Sequence, residues 1–224
     1  YPVFASTKNK ISFFEDYGIE VSGVTEDLVE IADIIIDCTP GKLGVKNMDM
    51  YKKAGTKAIW QGGEKHDPIG ASFNSLTNYS ESIGKDYVRV VSCNTTGLSR
   101  TLYPILKEYG IDNVQAVMVR RSGDPKDSDR GPINSIEPVL NVPSHHGPDV
   151  QTVISDLNIQ TMAVKVPTTI MHVHCIIAEL KSEPEIDKVL ELWESTPRVN
   201  LIEGFLNNGE SKVSNLPGTA EIME

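Results

Sequence analysis

Cysteine is scarce in this chain of 224 residues: only Cys38, Cys93 and Cys175 occur, and no Cys-x-x-Cys pair is present. An odd number of widely spaced cysteines argues against a disulfide framework or a zinc site, and favours a reducing cytoplasm. No apolar run approaches the ~20 residues of a membrane-spanning helix, and the first residues lack a signal-peptide pattern. We therefore expect a cytoplasmic globular protein that has no contact with a membrane.

Basic residues are also in the minority, since 21 Lys and Arg stand against 31 Asp and Glu, a formal net charge of −10. This balance argues against non-specific binding of nucleic acid. Binding of an anionic substrate would require a local cluster of Arg, Lys and backbone N–H groups. The length permits one large domain or two small ones with an ample core.

Residues 1–91 alternate apolar strands with helices. Strands are predicted over 31–38, 57–60 and 87–91, and helices over 9–17 and 43–53. Such alternation is typical of an α/β domain with a parallel sheet that is covered on both faces. Ligands of open α/β sheets bind at the carboxyl ends of the strands, so 39–41, 61–63 and 92–97 are expected to line one crevice.

Residues 92–205 predict an α+β domain with a mainly antiparallel sheet. Its strands are predicted over 114–121, 139–142, 161–167 and 168–180, and its helices over 95–109 and 184–195. Residues 206–224 contain the loop signals Asn207-Asn208-Gly209 and Pro217-Gly218, and a helix is predicted to begin at Thr219.

Cys93 lies between the strand 87–91 and the helix that is predicted to be capped by Asn94, Thr95 or Thr96. At the amino end of a helix, the macrodipole and the free N–H groups favour a thiolate and can hold an oxyanion. The sequence at this point leaves two interpretations open, a nucleophile and a buried structural cysteine.

Histidines provide the candidate bases. His172 and His174 are two residues apart in a predicted strand, so both rings are expected on the same face. Three roles stay open for them: one ring acts as a general base, both are solvated surface side chains, or the two form half of a metal site. His145-His146-Gly147 lies among turn residues, which favours substrate hydrogen bonding or a solvated loop. Asp149 alone makes a weak case for a metal site there.

Arg120 and Arg121 end a predicted strand, so their side chains point to opposite faces and at most one guanidinium is expected to reach a crevice. A guanidinium suits phosphate, because its planar fork binds oxygens in pairs. The alternative is a salt bridge to the Asp-rich loop 122–130.

Four motifs in order resemble the archaeal-type phosphorylating glyceraldehyde-3-phosphate dehydrogenase family. They are Ser-Cys-Asn-Thr-Thr-Gly (92–97), Val-Arg-Arg (119–121), Pro-Ser-His-His-Gly-Pro-Asp-Val (143–150) and Pro-Thr-Thr-Ile-Met-His-Val-His (167–174). Residues 33–42 and 61–65 also resemble that family's cofactor-domain loops, and the resemblance runs from residue 1 to about residue 205. It implies a Rossmann domain over 1–91, followed by a catalytic domain over 92–205.

The resemblance also implies roles for individual residues. Cys93 would be the nucleophile and His172, in preference to His174, the base. The remaining implied positions are Ser92, Asn94, His146 and Gly147 for substrate and Gly63 and Arg121 for an NADP or NAD cofactor. The implied glycolytic or gluconeogenic reaction oxidises glyceraldehyde 3-phosphate through a hemithioacetal and a thioester, which inorganic phosphate then attacks.

Two departures from the family pattern concern the ends of the sequence. No Gly-x-Gly-x-x-Gly turn is present, and 206–218 does not resemble the family. We expect a fragment that lacks the amino-terminal Gly-rich segment and the carboxyl-terminal part of a homotetrameric enzyme. Two other functions stay open: a related semialdehyde dehydrogenase, and a non-catalytic assembly or interaction subunit.

Overall fold

A computed structural model describes residues 1–41, 43–61, 63–123, 129, 131–202 and 220–223. The chain divides into two compact units. The first comprises Tyr1–Phe73 and Ser80–Val90, and the second comprises Asn74–Tyr79 and Val91–Glu224. Within the described ranges, no helix combines the length and the apolar character that a membrane span requires.

The elements before residue 91 are mostly short. The strands are β1 (Phe4–Ala5), β2 (Gly23–Val24), β3 (Ile34–Asp37), β4 (Lys57–Trp60), β5 (Ser72–Phe73) and β6 (Tyr87–Val90). The α-helices are α1 (Ile11–Glu15), α2 (Thr25–Ile31), α3 (Met48–Ala54), α4 (His66–Ile69) and α5 (Tyr79–Ser82). One sheet has the order β3-β4-β6-β5, and all its neighbouring strands are parallel. The predicted parallel sheet is therefore confirmed.

A buried carboxylate organises the carboxyl end of β3. Asp37 accepts hydrogen bonds from the Thr39 N–H at 2.8 Å, from Asn47 Nδ2 at 2.9 Å and from the Tyr51 hydroxyl at 2.7 Å. Burial alone would raise the pKa of Asp37, but these three donors outweigh it and lower the pKa. Asp37 therefore stays ionised near neutral pH and joins β3 to the segment that leads into α3.

The second unit contains the longer elements. Its helices are α6 (Cys93–Tyr109), α7 (His146–Gln151) and α8 (Ile186–Ser195), and its strands are β7 (Ile111–Arg121), β8 (Glu137–Pro138), β9 (Ile159–Val166), β10 (His172–Leu180), β11 (Val199–Ile202) and β12 (Ala220–Met223). The main sheet has the order β10-β7-β9-β8. Its outer pairs are antiparallel, whereas the central pair of β7 and β9 is parallel, so the sheet is mixed.

Three predicted elements differ from the structure. The strand expected over 139–142 is replaced by β8 at Glu137–Pro138, and only the Val139 N–H still reaches the sheet, at Ala163 O. The strand expected from residue 168 begins at His172, because Met171 has a left-handed φ of 70° that interrupts extended backbone. The helix expected from Thr219 is instead β12, which pairs with β11 in parallel, so a long-range backbone partner overrides a weak local preference.

The core of the second unit lies between α6 and the main sheet. Leu98, Leu102 and Ile105 of α6 are buried against the inner face of β7, which presents Val114 and Met118. Burying a Leu or Ile side chain contributes roughly 1.5–3 kcal/mol. This packing fixes α6 on one face of the sheet.

The same face carries the two strand histidines. Ile176 and Ala178 of β10 pack against this core, and His172 and His174 share their face because successive side chains of a strand alternate. The histidines therefore extend the apolar inner face toward the first turn of α6.

Candidate active site

Cys93 is the first residue of α6, and Ser92 is the capping residue. Ser92 Oγ accepts the Thr95 N–H at 3.3 Å, and the Ser92 carbonyl accepts the Thr96 N–H at 2.8 Å. The prediction that Asn94, Thr95 or Thr96 caps the helix was wrong. Asn94 and Thr95 lie inside the helix, where their side chains bind His174 and Asp149 respectively. The helix therefore begins early enough to place the thiol on its first turn, where the macrodipole favours negative charge.

His172 is the histidine that faces the thiol. Its Nε2 lies 3.5 Å from Cys93 Sγ, and its Nδ1 accepts the backbone N–H of Arg121 at 3.2 Å. Because Nδ1 acts as an acceptor, the neutral ring carries its proton on Nε2. That proton points at the sulfur of Cys93, to which it can donate a hydrogen bond.

His174 lies behind Asn94 rather than beside the sulfur. Its Nε2 is 2.9 Å from Asn94 Oδ1, and since that oxygen only accepts, the ring nitrogen must donate. Asn94 Nδ2 is then left to face Cys93 Sγ, at 4.0 Å. Burial lowers the pKa of His174 to about 4, so the ring is neutral at physiological pH. Gly97 allows this approach, because a Cβ there would lie 3.3 Å from His174 Cε1.

His146 is buried at the start of α7, so the interpretation of a solvated loop does not hold for this residue. Its ring stacks on His145 with 4.0 Å between centroids, and its Nδ1 lies 3.0 Å from Ser144 Oγ. Burial, then the neighbouring His145 and Arg120, lower the pKa of His146 to about 3. The ring is therefore neutral.

Cys93, His172 and His146 line one cleft of about 240 Å³. It is lined by Ser92, Cys93, Asn94, Arg120, Arg121, Ser122, Gly123, His145, His146 and His172. Burial lowers the pKa of Arg120, while the nearby Cys93 acts in the opposite direction. Arg120 Nε is buried and has no hydrogen-bond partner in the part of the chain that the structure describes. Cys93, the neutral ring of His146 and Arg120 in one cleft suit an anionic electrophile.

The structure thus brings together most of the predicted site. Ser92, Cys93, Asn94, Arg121, His146 and His172 line the cleft, whereas His174 and Gly147 lie behind it. Gly63 belongs to the first unit, where it lies beyond the end of β4. Residues 124–128 and 130 of the Asp-rich loop, proposed above as a partner for the arginines, lie outside the described residues.

Sequence reasoning missed several supporting residues. Asp149 was weighed only as a metal ligand, but its Oδ2 accepts the hydroxyl of Thr95 and so ties α7 to the first turn of α6. Among the described residues, no three His, Cys, Asp or Glu side chains converge to hold a metal ion. Ser144 lies in the motif 143–150, but no role was predicted for it, and Thr161, its hydrogen-bond partner, lies outside the four motifs.

Residues 92–215 match a family described as the C-terminal domain of glyceraldehyde 3-phosphate dehydrogenase. The chain is 53% identical over its whole length to "Glyceraldehyde-3-phosphate dehydrogenase" of Methanothermus fervidus, 52% identical to the protein of that name in Thermococcus kodakarensis and 48% identical to that of Picrophilus torridus. It spans 64%, 64% and 63% of the lengths of these relatives, respectively.

Solved structures resemble the chain in fold. Aspartate semialdehyde dehydrogenase II of Vibrio cholerae, in complex with ASA, superposes with a TM-score of 0.71 at 15% identity, covering 92% of this chain and 70% of that one. A probable aspartate-semialdehyde dehydrogenase of Pseudomonas aeruginosa gives 0.68 at 9% identity, covering 100% of this chain and 87% of that one. At these identities the likeness concerns the fold alone.

The contact between His174 and Asn94 predicts a positioning role for this histidine. Replacing His174 by Leu removes the donor to Asn94 Oδ1, so Nδ2 is no longer directed at the sulfur. Alkylation of Cys93 by iodoacetamide should slow by about threefold to tenfold, the effect of one lost hydrogen bond. His174→Gln, whose side-chain amide can donate from a similar position, should restore most of the rate.

The rates are measured by mass spectrometry at neutral pH on folded variants, with His66→Leu in the first unit as the control. Equal slowing in His174→Leu and His174→Gln would show that the residue acts through packing rather than through the hydrogen bond.

Proposed function

The chain belongs to the glyceraldehyde-3-phosphate dehydrogenase family, and we propose that it carries the catalytic chemistry of the phosphorylating oxidation of D-glyceraldehyde 3-phosphate to 1,3-bisphosphoglycerate, and of the reverse reaction. The observation that carries this proposal is the 3.5 Å contact between Cys93 Sγ and His172 Nε2 in a cleft lined by two arginines. Residues 92–205 would form the catalytic part and residues 1–91 the cofactor-binding part.

Cys93 begins the reaction as a thiolate. Its sulfur attacks the aldehyde carbon and forms a carbon–sulfur bond, while the carbonyl electrons move onto the oxygen. The resulting alkoxide lies in reach of the Nε2–H of His172 and the Nδ2 amide of Asn94, which both face the sulfur. Donors that already point at the developing charge stabilise it without reorganisation.

His172 would therefore act first as a hydrogen-bond donor. A general base at His172, as predicted from the sequence, needs a free lone pair on Nε2. The proton of the neutral ring would then be on Nδ1, where it would face the N–H of Arg121, so that two donors would face each other. In our proposal the ring stabilises the thiolate and then the alkoxide. Loss of hydride from that carbon converts the hemithioacetal into a thioester on Cys93.

Arg120 would serve the last step, the attack of phosphate on the thioester. A thioester resists water but reacts with phosphate, whose attack on the carbonyl carbon releases Cys93 as a thiolate and forms the acyl phosphate. The buried Nε of Arg120, for which the described residues provide no acceptor, would donate to a phosphate oxygen in the same cleft. His146 and Gly147 would support substrate binding, His146 directly and Gly147 through its position in α7.

The reaction requires a hydride acceptor, for which we propose a nicotinamide cofactor, NADP or NAD. The described residues of the cleft fit such a group, since Arg121 lines the cleft beside Cys93 and would help to hold it. Gly63 of the first unit is proposed as a cofactor contact from the family resemblance. Such a cofactor would supply the acceptor for the hydride that leaves the hemithioacetal carbon.

The alternative enzyme, a semialdehyde dehydrogenase, has less support. The likeness to such enzymes is 9–15% in identity, whereas the relatives named glyceraldehyde-3-phosphate dehydrogenase are 48–54% identical. The alternative of a non-catalytic assembly subunit is opposed by the intact pair of Cys93 and His172.

We also propose that the whole protein is a cytoplasmic homotetramer, and that the outer face of the main sheet is one of its contacts. This face carries exposed apolar side chains, namely Val117, Met162, Val173 and Ile177, which are 40–70% exposed. Val117 lies beside Met162 in the register of β7 and β9, so these side chains form a continuous patch. Patches of this kind on soluble proteins mark interaction surfaces.

The double variant Val117→Lys and Ile177→Lys should lower the molar mass in solution, because a like charge on both copies opposes packing of the two faces. Light scattering after size-exclusion chromatography measures the mass over a range of concentrations. Ile83→Lys, at an exposed apolar residue of the first unit, is the control and should leave the mass unchanged. A full-length protein that is monomeric at every concentration, or a mass that the double variant leaves unchanged, would contradict the proposal.

The catalytic proposal is tested by comparing the three cysteines. All three are exposed in the single chain, but Cys175 lies beside Val117 on the proposed subunit contact, so Cys38 is the reference for accessibility. We expect iodoacetamide to modify Cys93 at neutral pH at least ~10-fold faster than Cys38 and Cys175, because only Cys93 has features that favour a thiolate. Glyceraldehyde 3-phosphate should protect Cys93, and Cys93→Ser should abolish both the fast phase and any dehydrogenase activity. Equal, slow modification of all three cysteines would refute the activated thiolate.

A further inference from the structure

A closed group of polar side chains lies behind the cleft, on the His146 side. Ser144, His146 and Thr161 are each at most 1% exposed. Ser144 Oγ lies 3.0 Å from His146 Nδ1 and 2.7 Å from Thr161 Oγ1. His146 Nε2 is also buried, yet in the described residues it has no hydrogen-bond partner, and His146 lines the cleft. A buried nitrogen without a partner that borders a cleft points to a ligand.

The direction of the hydrogen bonds in this group follows from the carbonyl of Ser144. A carbonyl oxygen only accepts, and a buried one is costly to leave without a donor. The residue four positions on, which would donate in a helix, is Pro148 and has no N–H. Among the described residues, the donor to this oxygen is the hydroxyl of Thr161, at 3.0 Å.

The remaining protons are then fixed in turn. Thr161 has one hydroxyl proton, which goes to the Ser144 carbonyl, so its oxygen accepts from the Gly147 N–H at 2.9 Å and from the Ser144 hydroxyl. Because Ser144 gives its own proton to Thr161, it can only accept from His146. His146 Nδ1 must therefore carry a proton, and the neutral ring has its lone pair on Nε2.

We propose that Ser144 and Thr161 are positioning residues that hold His146 in the tautomer protonated on Nδ1, so that Nε2 accepts a hydrogen bond from a hydroxyl group bound in the cleft. The hydroxyl is that of the aldehyde substrate, on the carbon next to the carbonyl, and this part of the inference rests on the proposed function. The site would thereby select 2-hydroxyaldehydes over aldehydes that lack the hydroxyl.

The polarity of the cleft agrees with this inference. Arg120 and the backbone at the start of α6 supply donors, which suit phosphate and carbonyl oxygens but cannot satisfy the proton of a hydroxyl. The low pKa of His146, about 3, keeps the Nε2 lone pair available throughout the physiological range. A P–OH group of hydrogen phosphate has the same donor chemistry, so the experiment must separate the two sources.

The tautomer is tested directly by long-range ¹H–¹⁵N correlation spectra of the imidazole rings at pH 7, with the His146→Phe variant identifying the resonances. We expect protonated Nδ1 and unprotonated Nε2 for His146. Thr161→Val should move the proton to Nε2, since Ser144 can then donate to the ring, whereas Thr161→Ser should keep the original tautomer. A proton on Nε2 in the unchanged chain would overturn the inference, whatever the stability of the variants.

The preference for a 2-hydroxyaldehyde is tested by measuring how well an aldehyde protects Cys93 from iodoacetamide. This assay needs no cofactor. Glyceraldehyde 3-phosphate should protect at about tenfold lower concentration than 3-phosphopropanal, which lacks the hydroxyl, in keeping with one hydrogen bond. His146→Phe should abolish that difference. Equal protection by both aldehydes in the unchanged chain would overturn the selection of hydroxyaldehydes, whereas protection by neither would contradict the proposed function itself.

Inorganic phosphate forms the third arm, as a competitor in the same assay. If His146→Phe weakens competition by phosphate and leaves the preference between the aldehydes intact, the acceptor serves hydrogen phosphate and the assignment to the substrate hydroxyl is wrong. Unchanged competition by phosphate, together with a lost preference between the aldehydes, supports it.

Discussion

The pairing of β10 with β7 is the constraint on which the site depends. Their antiparallel register sets His172 opposite Arg120 and brings the N–H of Arg121 to His172 Nδ1. A slip of one residue would exchange the two faces of β10, since side chains alternate along a strand. Val173 would then face the thiol, and the ring would lie on the outer face. The apolar packing of β7 and β10 against α6 holds this register. The contacts that form the core therefore also position His172 beside Cys93.

Three histidines have different roles because their ring nitrogens have different partners. Nδ1 of His172 accepts the backbone N–H of Arg121, so His172 donates toward Cys93 from Nε2. His174 also donates from Nε2, but to Asn94. His146 instead gives the proton of Nδ1 to Ser144, in the hydrogen-bond order inferred above, and its Nε2 is an acceptor. One residue type thus supplies donors beside the sulfur and an acceptor for the substrate, and burial lowers the pKa of His174 and His146, which keeps both rings neutral.

Patterns within short segments of the sequence predicted the features that depend on interactions within those segments. The strand before Cys93, the helix after it and the shared face of His172 and His174 follow from hydrophobic periodicity and from alternation along a strand. Features set by distant partners were missed or wrong. Ser92 caps α6 because Asn94 and Thr95 are bound elsewhere, and the parallel pairing of β7 with β9 depends on the crossover through α7. The bonds from Ser144 and Thr161 join segments 17 residues apart, and no pattern within either segment indicates the other.

The central claim is that a proton on His172 Nε2 stabilises the Cys93 thiolate. The most direct measurement is the rate of Cys93 alkylation at neutral pH in His172→Gln and His172→Leu, with Cys38 of the same chain as the internal reference. A Gln amide can donate a hydrogen bond but cannot take up a proton as a base, so the account predicts a rate near that of the unchanged chain for Gln and a loss of about tenfold for Leu. Equal losses in both variants, or no loss in either, would contradict it.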